Sequence, residues 1–240
     1  MNARLFCGSI LALCSLALSG CHSGKPSAGA EAMRPDQVTD FHTLYTQNCS
    51  GCHGADGTHG PAMPLGNPEY EAIVDEGTLG GAIGTGVPGT LMPSFSKDAG
   101  GMLTDDQINA LVDGIRSHWY KADVLKGIDV PPYQTDKKGD VVHGQQVFTA
   151  HCSSCHTTGV QQKDAKKSSV TDGSYLALIG DQSLRAIIIA GRPDIGHPDW
   201  RGASGNNPMS DQDVTDVVAW IASQRQQTPG QPYPSQPSQP

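Results

Sequence analysis

Two short strings of cysteine and histidine hold the chemistry most plainly on offer. Cys49-Ser-Gly-Cys52-His53 and Cys152-Ser-Ser-Cys155-His156 repeat one spacing about a hundred residues apart. In an exported protein, four such thiols suggest a pair of disulfides, or one four-cysteine zinc site. Neither accounts for a histidine directly after the second cysteine both times. Cys-x-x-Cys-His is the attachment signature of a c-type haem, in which two thiols add to the porphyrin vinyl groups and the adjacent histidine becomes the proximal iron ligand. Two covalently attached haem c groups are therefore expected, one on Cys49, Cys52 and His53 and one on Cys152, Cys155 and His156.

Candidate ligands for the far side of each iron lie further along the chain. For the first haem, Leu91-Met92-Pro93 offers Met92 thirty-nine residues beyond His53, directly after the glycine-rich run Gly84-Thr-Gly-Val-Pro-Gly-Thr, where backbone can bend close to a cofactor. Met63 is also followed by proline but lies only ten residues past His53, and reads as pocket lining. For the second haem, Met209 is the one methionine after His156, fifty-three residues on. His197 competes at forty-one residues, a distance closer to that of Met92. His59 reads as a surface loop residue, and His42, His118, His143 and His151 as ordinary helix residues.

The choice between Met209 and His197 is made by an internal repeat. With Tyr70 set on Tyr175, Ile83 falls on Ile188, Gly86 on Gly191, Pro88 on Pro193 and Pro93 on Pro198, all without a gap. Met92 then falls on His197. Met209 takes the place of Leu103, directly before the capping serine, where an apolar residue staples the start of the last helix. His53/Met92 and His156/His197 are the expected iron-ligand pairs, with Met209 the alternative to His197. Imidazole donates more strongly than a thioether and favours ferric iron, so the His156/His197 centre should have the lower potential.

The elements that must position these residues recur in the same order in both copies. A helix precedes each motif, over Val38 to Cys49 with Phe41, Leu44 and Tyr45 on one side, and over Asp140 to Cys152 with Val147 and Phe148. One middle helix follows in each copy, carrying Tyr70, Ile73, Val74 and Leu79 in the first and running from Tyr175 to Ala190 in the second. The last helices begin at Thr104 and Ser210, each followed by acidic residues, with apolar positions at helical spacing such as Ile108, Leu111, Val112 and Ile115, or Val214, Val217, Val218 and Ile221. The fold class expected is all-α, with each covalent haem packed among about three to five short helices.

On these residues each copy resembles a class I cytochrome c domain. The resemblance covers residues 38–120 and 139–225, and it implies a distal ligand from the loop before the last helix, a Met-Pro setting that Met92-Pro93 matches. It also implies a glycine and an aromatic where the terminal helices cross. Gly144 and Phe148 comply, whereas the first copy has Phe41 and Tyr45, which predicts a wider or shifted crossing there. Between the copies, residues 121–138 form a linker with Pro131-Pro132 and several charges, expected to be surface exposed.

The ends bound the compartment. Arg4 precedes the apolar stretch Leu5 to Leu18, too short for a comfortable membrane span and built like an export signal over residues 1–20. Leu18-Ser19-Gly20-Cys21 resembles the lipobox of bacterial lipoproteins, which implies that Cys21 is lipidated and anchors the chain to a bilayer. Residues 21–37 then form a tether, and residues 226–240 a Gln/Pro/Ser tail. Family sorting rules make the outer membrane the expected side, because His22 rather than aspartate follows the cysteine. The formal net charge is −8, which argues against nucleic acid or an anionic surface as partner.

A six-coordinate iron leaves no open position for substrate, and no nucleophile triad, nucleotide loop or recurrent acid pair is present. The function expected is single-electron relay between redox proteins on the periplasmic side of a bacterial membrane, in a respiratory or photosynthetic chain and without independent catalysis. The alternatives are a haem subunit of a larger membrane oxidoreductase, and a di-haem peroxidase.

Overall fold

The computed structural model describes residues 33–157, 168–205 and 207–225. The export signal, Cys21, most of the tether and the tail lie outside the described residues. The chain divides into two units after Gln37. In the first, Pro35–Gln37 form a single 3-10 turn, beside which Arg34 pairs with Asp36 at 3.7 Å. Everything from Val38 onward forms the second unit, and both copies of the repeat lie in it.

Short helices joined by loops build the described part of that unit. The first half contains α1 (Phe41–Asn48), the one-turn α2 (Ser50–His53), α3 (Pro68–Ile73), α4 (Glu76–Thr85) and α5 (Asp105–Trp119). The second contains α6 (Val141–His151), α7 (Gly173–Leu178), α8 (Asp181–Ala190) and α9 (Asp211–Ser223). Among the described residues the named strands are β1 (His156–Thr157) and β2 (Ser168–Ser169), which form a two-residue parallel ladder. None of the described helices is long and apolar enough to cross a membrane.

Helix boundaries follow side-chain capping. Asp40 and Asp140 accept hydrogen bonds from the backbone amides of the first turns of α1 and α6. Thr104 with Gln107, and Ser210 with Asp213, form full capping boxes at α5 and α9, where reciprocal side-chain bonds satisfy otherwise orphaned amides. The single middle helix expected in each copy is two helices. Val74 is extended, and Asp75 accepts from the Thr78 amide at 2.8 Å and so starts α4 afresh. In the second copy the break falls at the extended Ile179 and Gly180.

Each half closes over its own core. Leu44, Tyr45, Leu79, Ile83, Leu111 and Ile115 dominate the first, and Phe148, Leu176, Ile189, Val214 and Val217 the second. In the second half α6 crosses α9 at Gly144, where a Cβ would come within 2.0 Å of the Asp216 carbonyl oxygen and 2.8 Å of Trp220 Cβ. The crossing is pinned by the buried Asp216 carboxylate, which accepts from the Asp140 amide and pairs with His143 Nδ1, both at 2.7 Å. The first half departs from this in a specific way: α1 brings Phe41 to the crossing, and the glycine sits on the opposite helix as Gly114. A Cβ on Gly114 would lie 2.0 Å from the Phe41 ring. Phe41 is thus accommodated by a glycine on its partner helix, and α1 meets α5 over a much smaller contact than α6 makes with α9, in line with the wider or shifted crossing expected there.

The linker is not simply exposed. Pro131 is buried, Tyr133 packs on the first core, and Leu125 and Val130 pack on the second. The reason lies on α8: Arg185, only 4% exposed, donates to the carbonyls of Pro132 and Tyr133 and to Thr215 Oγ1, and it pairs with Asp211. A buried guanidinium requires such acceptors, and a folded-back linker supplies them.

Candidate functional site

Both cysteine–histidine motifs are wound as helical turns at the end of a capped helix. The Cys52 amide donates to the Cys49 carbonyl and the Cys155 amide to the Cys152 carbonyl, each at 3.1 Å. All four cysteines are free thiols, so neither disulfide is formed, and the described residues assemble no cluster of three or more cysteine, histidine or acidic side chains that would hold a zinc ion. Burial pushes the thiols of Cys49 and Cys152 up to about 11, with the neighbouring Cys52 and Cys155 adding a smaller electrostatic contribution. Both are therefore protonated thiols at neutral pH. Cys52 and Cys155 are exposed, so each motif presents one thiol inward and one outward.

In the first half, His53 Nδ1 bonds to the Met63 carbonyl at 2.7 Å. That contact makes Nδ1 the protonated nitrogen, since a carbonyl only accepts, and leaves Nε2 with its lone pair. Burial, the largest cause, holds the His53 pKa below its usual value and keeps the ring neutral, as a metal-binding imidazole must be. Met92 is half-buried and packs, with Met63, against the first core. Met63 thus has a backbone role in addition to the pocket-lining one read from sequence.

In the second half, the rings of His156 and His197 face each other with centroids 5.8 Å apart and an interplanar angle of 45°. Two metal–nitrogen bonds of about 2 Å plus about 1 Å from each nitrogen to its ring centre require a centroid separation of about 6 Å, so an iron ligated by both rings fits. Nδ1 of His197 is buried and has no hydrogen-bond partner among the described residues. Burial first, and then the nearby His156, lower the pKa of His197 and favour the neutral ring.

The two distal loops share two backbone hydrogen bonds. Val87 donates its amide to Met92 O at 3.1 Å and Thr90 to Val87 O at 3.2 Å; Arg192 donates to His197 O and Ile195 to Arg192 O, both at 3.0 Å. Gly86 and Gly191 precede these loops at φ 75° and 69°, and a Cβ on either would press on the carbonyl oxygen of Met92 (2.7 Å) or His197 (2.9 Å). Met92 and His197 therefore occupy the same backbone position. Met209 does not approach that position in the register: its amide bonds to Trp200 O at 2.9 Å, as the Leu103 amide bonds to Phe95 O at 2.7 Å, and its side chain is 7% exposed within the second core.

Residues 36–113 match the family model for cytochrome c oxidase, cbb3-type, subunit III, and residues 141–225 match the model for cytochrome c. The chain carries a cytochrome c-type domain. It is distantly related to the cbb3-type cytochrome c oxidase subunit CcoP of Azospirillum sp. (strain B510), with 28% identity over 125 residues. That match spans 48% of this chain and only 37% of the relative. Among solved structures, the reducing HAO-like protein complex of Kuenenia stuttgartiensis is similar over 81% of this chain and 100% of its own, at 17% identity and a TM-score of 0.45.

Two features of the cytochrome c-type fold lay beyond the sequence reading. Glu71 is fully buried on α3, with its pKa pushed up to about 7 by burial against the opposing pull of Arg116, whose Nη1 lies 3.3 Å from Glu71 Oε2. The matching position in the second copy is the apolar Leu176, so the repeat itself flags the carboxylate as an exception. The second feature is the contact between the halves. Asn67, 2% exposed, donates to Ala190 O at 2.9 Å, and Arg201 pairs with Glu69 at 2.6 Å.

Proposed function

We propose that the chain is a membrane-anchored di-haem c-type cytochrome that relays single electrons between redox partners in a respiratory or photosynthetic chain. Cys49, Cys52, His53 and Met92 would hold one haem c, and Cys152, Cys155, His156 and His197 the other. The observation that carries this reading is the pair of facing imidazoles His156 and His197, one from a haem-attachment motif and one from the loop equivalent to that of Met92. Strong ligands on both faces of an iron leave it able to change oxidation state but not to bind substrate, which favours relay over peroxidase chemistry. Bound haem would supply the one-electron chemistry; the chain's residues set its ligands, its burial and its exposure to partners. Lipid on Cys21 would place the protein on the periplasmic side of a bacterial membrane, with the outer membrane suggested by His22.

A second reading, a haem subunit of a larger membrane oxidoreductase, draws on the similarity to an oxidase subunit named CcoP. The two differ in whether the chain copurifies with a catalytic partner. Mass measurement of the native chain tests the shared core of both: two covalent haems are expected, and one after Cys152→Ala with Cys155→Ala. Two haems retained by that double variant would overturn the attachment sites. Low-temperature magnetic resonance should show two low-spin centres, one bis-histidine and one histidine–methionine, and a high-spin signal would return the peroxidase to consideration.

A further inference from the structure

In the register of the repeat, Arg192 stands where the first copy has Val87. Its amide does what that of Val87 does, donating to His197 O at 3.0 Å, and its carbonyl also accepts from the His197 amide at 2.9 Å, where the Met92 amide turns instead to Thr90 Oγ1. Its side chain does something the valine cannot. Arg192 Nη2 crosses to the other half of the protein and donates to Gly60 O at 2.9 Å. Gly60 lies against the first haem-attachment motif, for a Cβ there would fall 2.1 Å from Cys52 O and 2.7 Å from the His53 carbonyl carbon.

The guanidinium is held in place by a second residue of the same loop. Nε and Nη2 of Arg192 bond to the two oxygens of Asp194 at 3.0 and 2.7 Å, and Asp194 Oδ2 also accepts from the His59 amide at 2.9 Å. Both side chains are largely buried, at 10% and 4% exposure. Arg192 holds the Asp194 carboxyl down to about 2, so the pair is ionic throughout the physiological range. One loop thus touches the His197 backbone on one side and the chain on both sides of Gly60 on the other.

We propose that Arg192, locked by Asp194, is a positioning residue shared by the two haem sites, tying the His197 loop to the loop after His53 and holding one buried cation against the chain segments that carry ligands of both sites. This rests on the di-haem reading above. Ferric haem carries one more positive charge than ferrous haem, so a nearby cation favours reduction and a nearby carboxylate opposes it, most strongly where water is excluded.

The test is a potentiometric titration of the full, haem-loaded chain, with each centre followed by its own spectrum. Arg192→Met leaves Asp194 unopposed and should lower both midpoint potentials, by a three- to tenfold fall in the ferrous-to-ferric ratio at fixed potential, a tenfold change being about 59 mV for one electron. Arg192→Lys should recover most of the shift, and Asp194→Asn should move both potentials upward. A shift confined to the second centre, or none, in chains that retain two low-spin haems would overturn the proposal. If Arg192→Met does not fold, the Asp194→Asn titration decides by the same criterion. Should the native chain carry fewer than two haems by mass, it is the di-haem reading that fails, and the two failures are therefore distinct.

Discussion

Phe41 on α1 and Gly114 on α5 are the two halves of one contact, and the second copy holds the same contact with the bulk reversed. There the glycine is Gly144 on α6, and Trp220 Cβ is the side-chain atom it admits on α9. Volume at a helix crossing is conserved as a sum over both helices, so one side can be large only if the other is small. Gly114→Ala puts a methyl 2.0 Å from the Phe41 ring and should destabilise the first half by about 1–3 kcal/mol. Thermal or denaturant unfolding followed by circular dichroism would show it, and Phe41→Leu in the Gly114→Ala background should recover part of the loss. Equal stability of Gly114→Ala and the parent would mean that the helices separate freely there.

Glu71 predicts a pH dependence of stability. Its carboxyl is raised to about 7 in the folded chain, above the ordinary value of 4.5, because burial disfavours the charged form. An acid whose folded pKa is raised contributes its stability below the unfolded pKa and loses it as pH rises through the folded one. The loss should therefore accumulate between about pH 4.5 and pH 7 and reach about 3 kcal/mol at its upper limit. Glu71→Gln removes the titrating group, so its stability should be flatter across that interval. Parallel pH profiles of the parent and Glu71→Gln would refute the assignment.

Much of this was readable from residues alone, for identifiable physical reasons. The motifs are local strings, and the caps at Thr104 and Ser210 are set by neighbours three residues away. The equivalence of Met92 and His197 needed only a gapless register. The break at Val74 escaped because apolar residues on both sides of it keep a helical spacing, while Asp75 and Thr78 end one helix and start the next. The exchange of Phe41 with Gly114 escaped because it joins positions on helices at opposite ends of the copy. The roles of Arg185 and Arg192 escaped because their acceptors, the linker carbonyls and Gly60 O, come to them across the fold.

The proposed membrane attachment through Cys21 yields a simple fractionation experiment. Cys21→Ala should leave folded, haem-loaded protein that no longer sediments with membranes, since among the described residues no helix would hold it there. Native protein found free of lipid and in the soluble fraction would show that the cysteine is incidental.

The proposed distal ligand of the second haem separates two residues that a search for methionine alone would confuse. Met209 sits in the second core at 7% exposure, with its amide tied to Trp200 O, and it stands where Leu103 stands in the first copy. Truncating it should act as a core deletion: Met209→Ala costs about 2–5 kcal/mol of stability and leaves both low-spin spectra in place. His197 faces His156 from a loop whose hydrogen bonds match those around Met92. His197→Met should convert one centre from bis-histidine to histidine–methionine and raise its potential, because a thioether stabilises ferric iron less than imidazole does, while the other centre keeps its spectrum. His197→Ala should open that iron and render it high-spin. If His197→Ala leaves both low-spin spectra intact and Met209→Ala disrupts one, the second site is methionine-ligated and the equivalence of the two loops extends to backbone only.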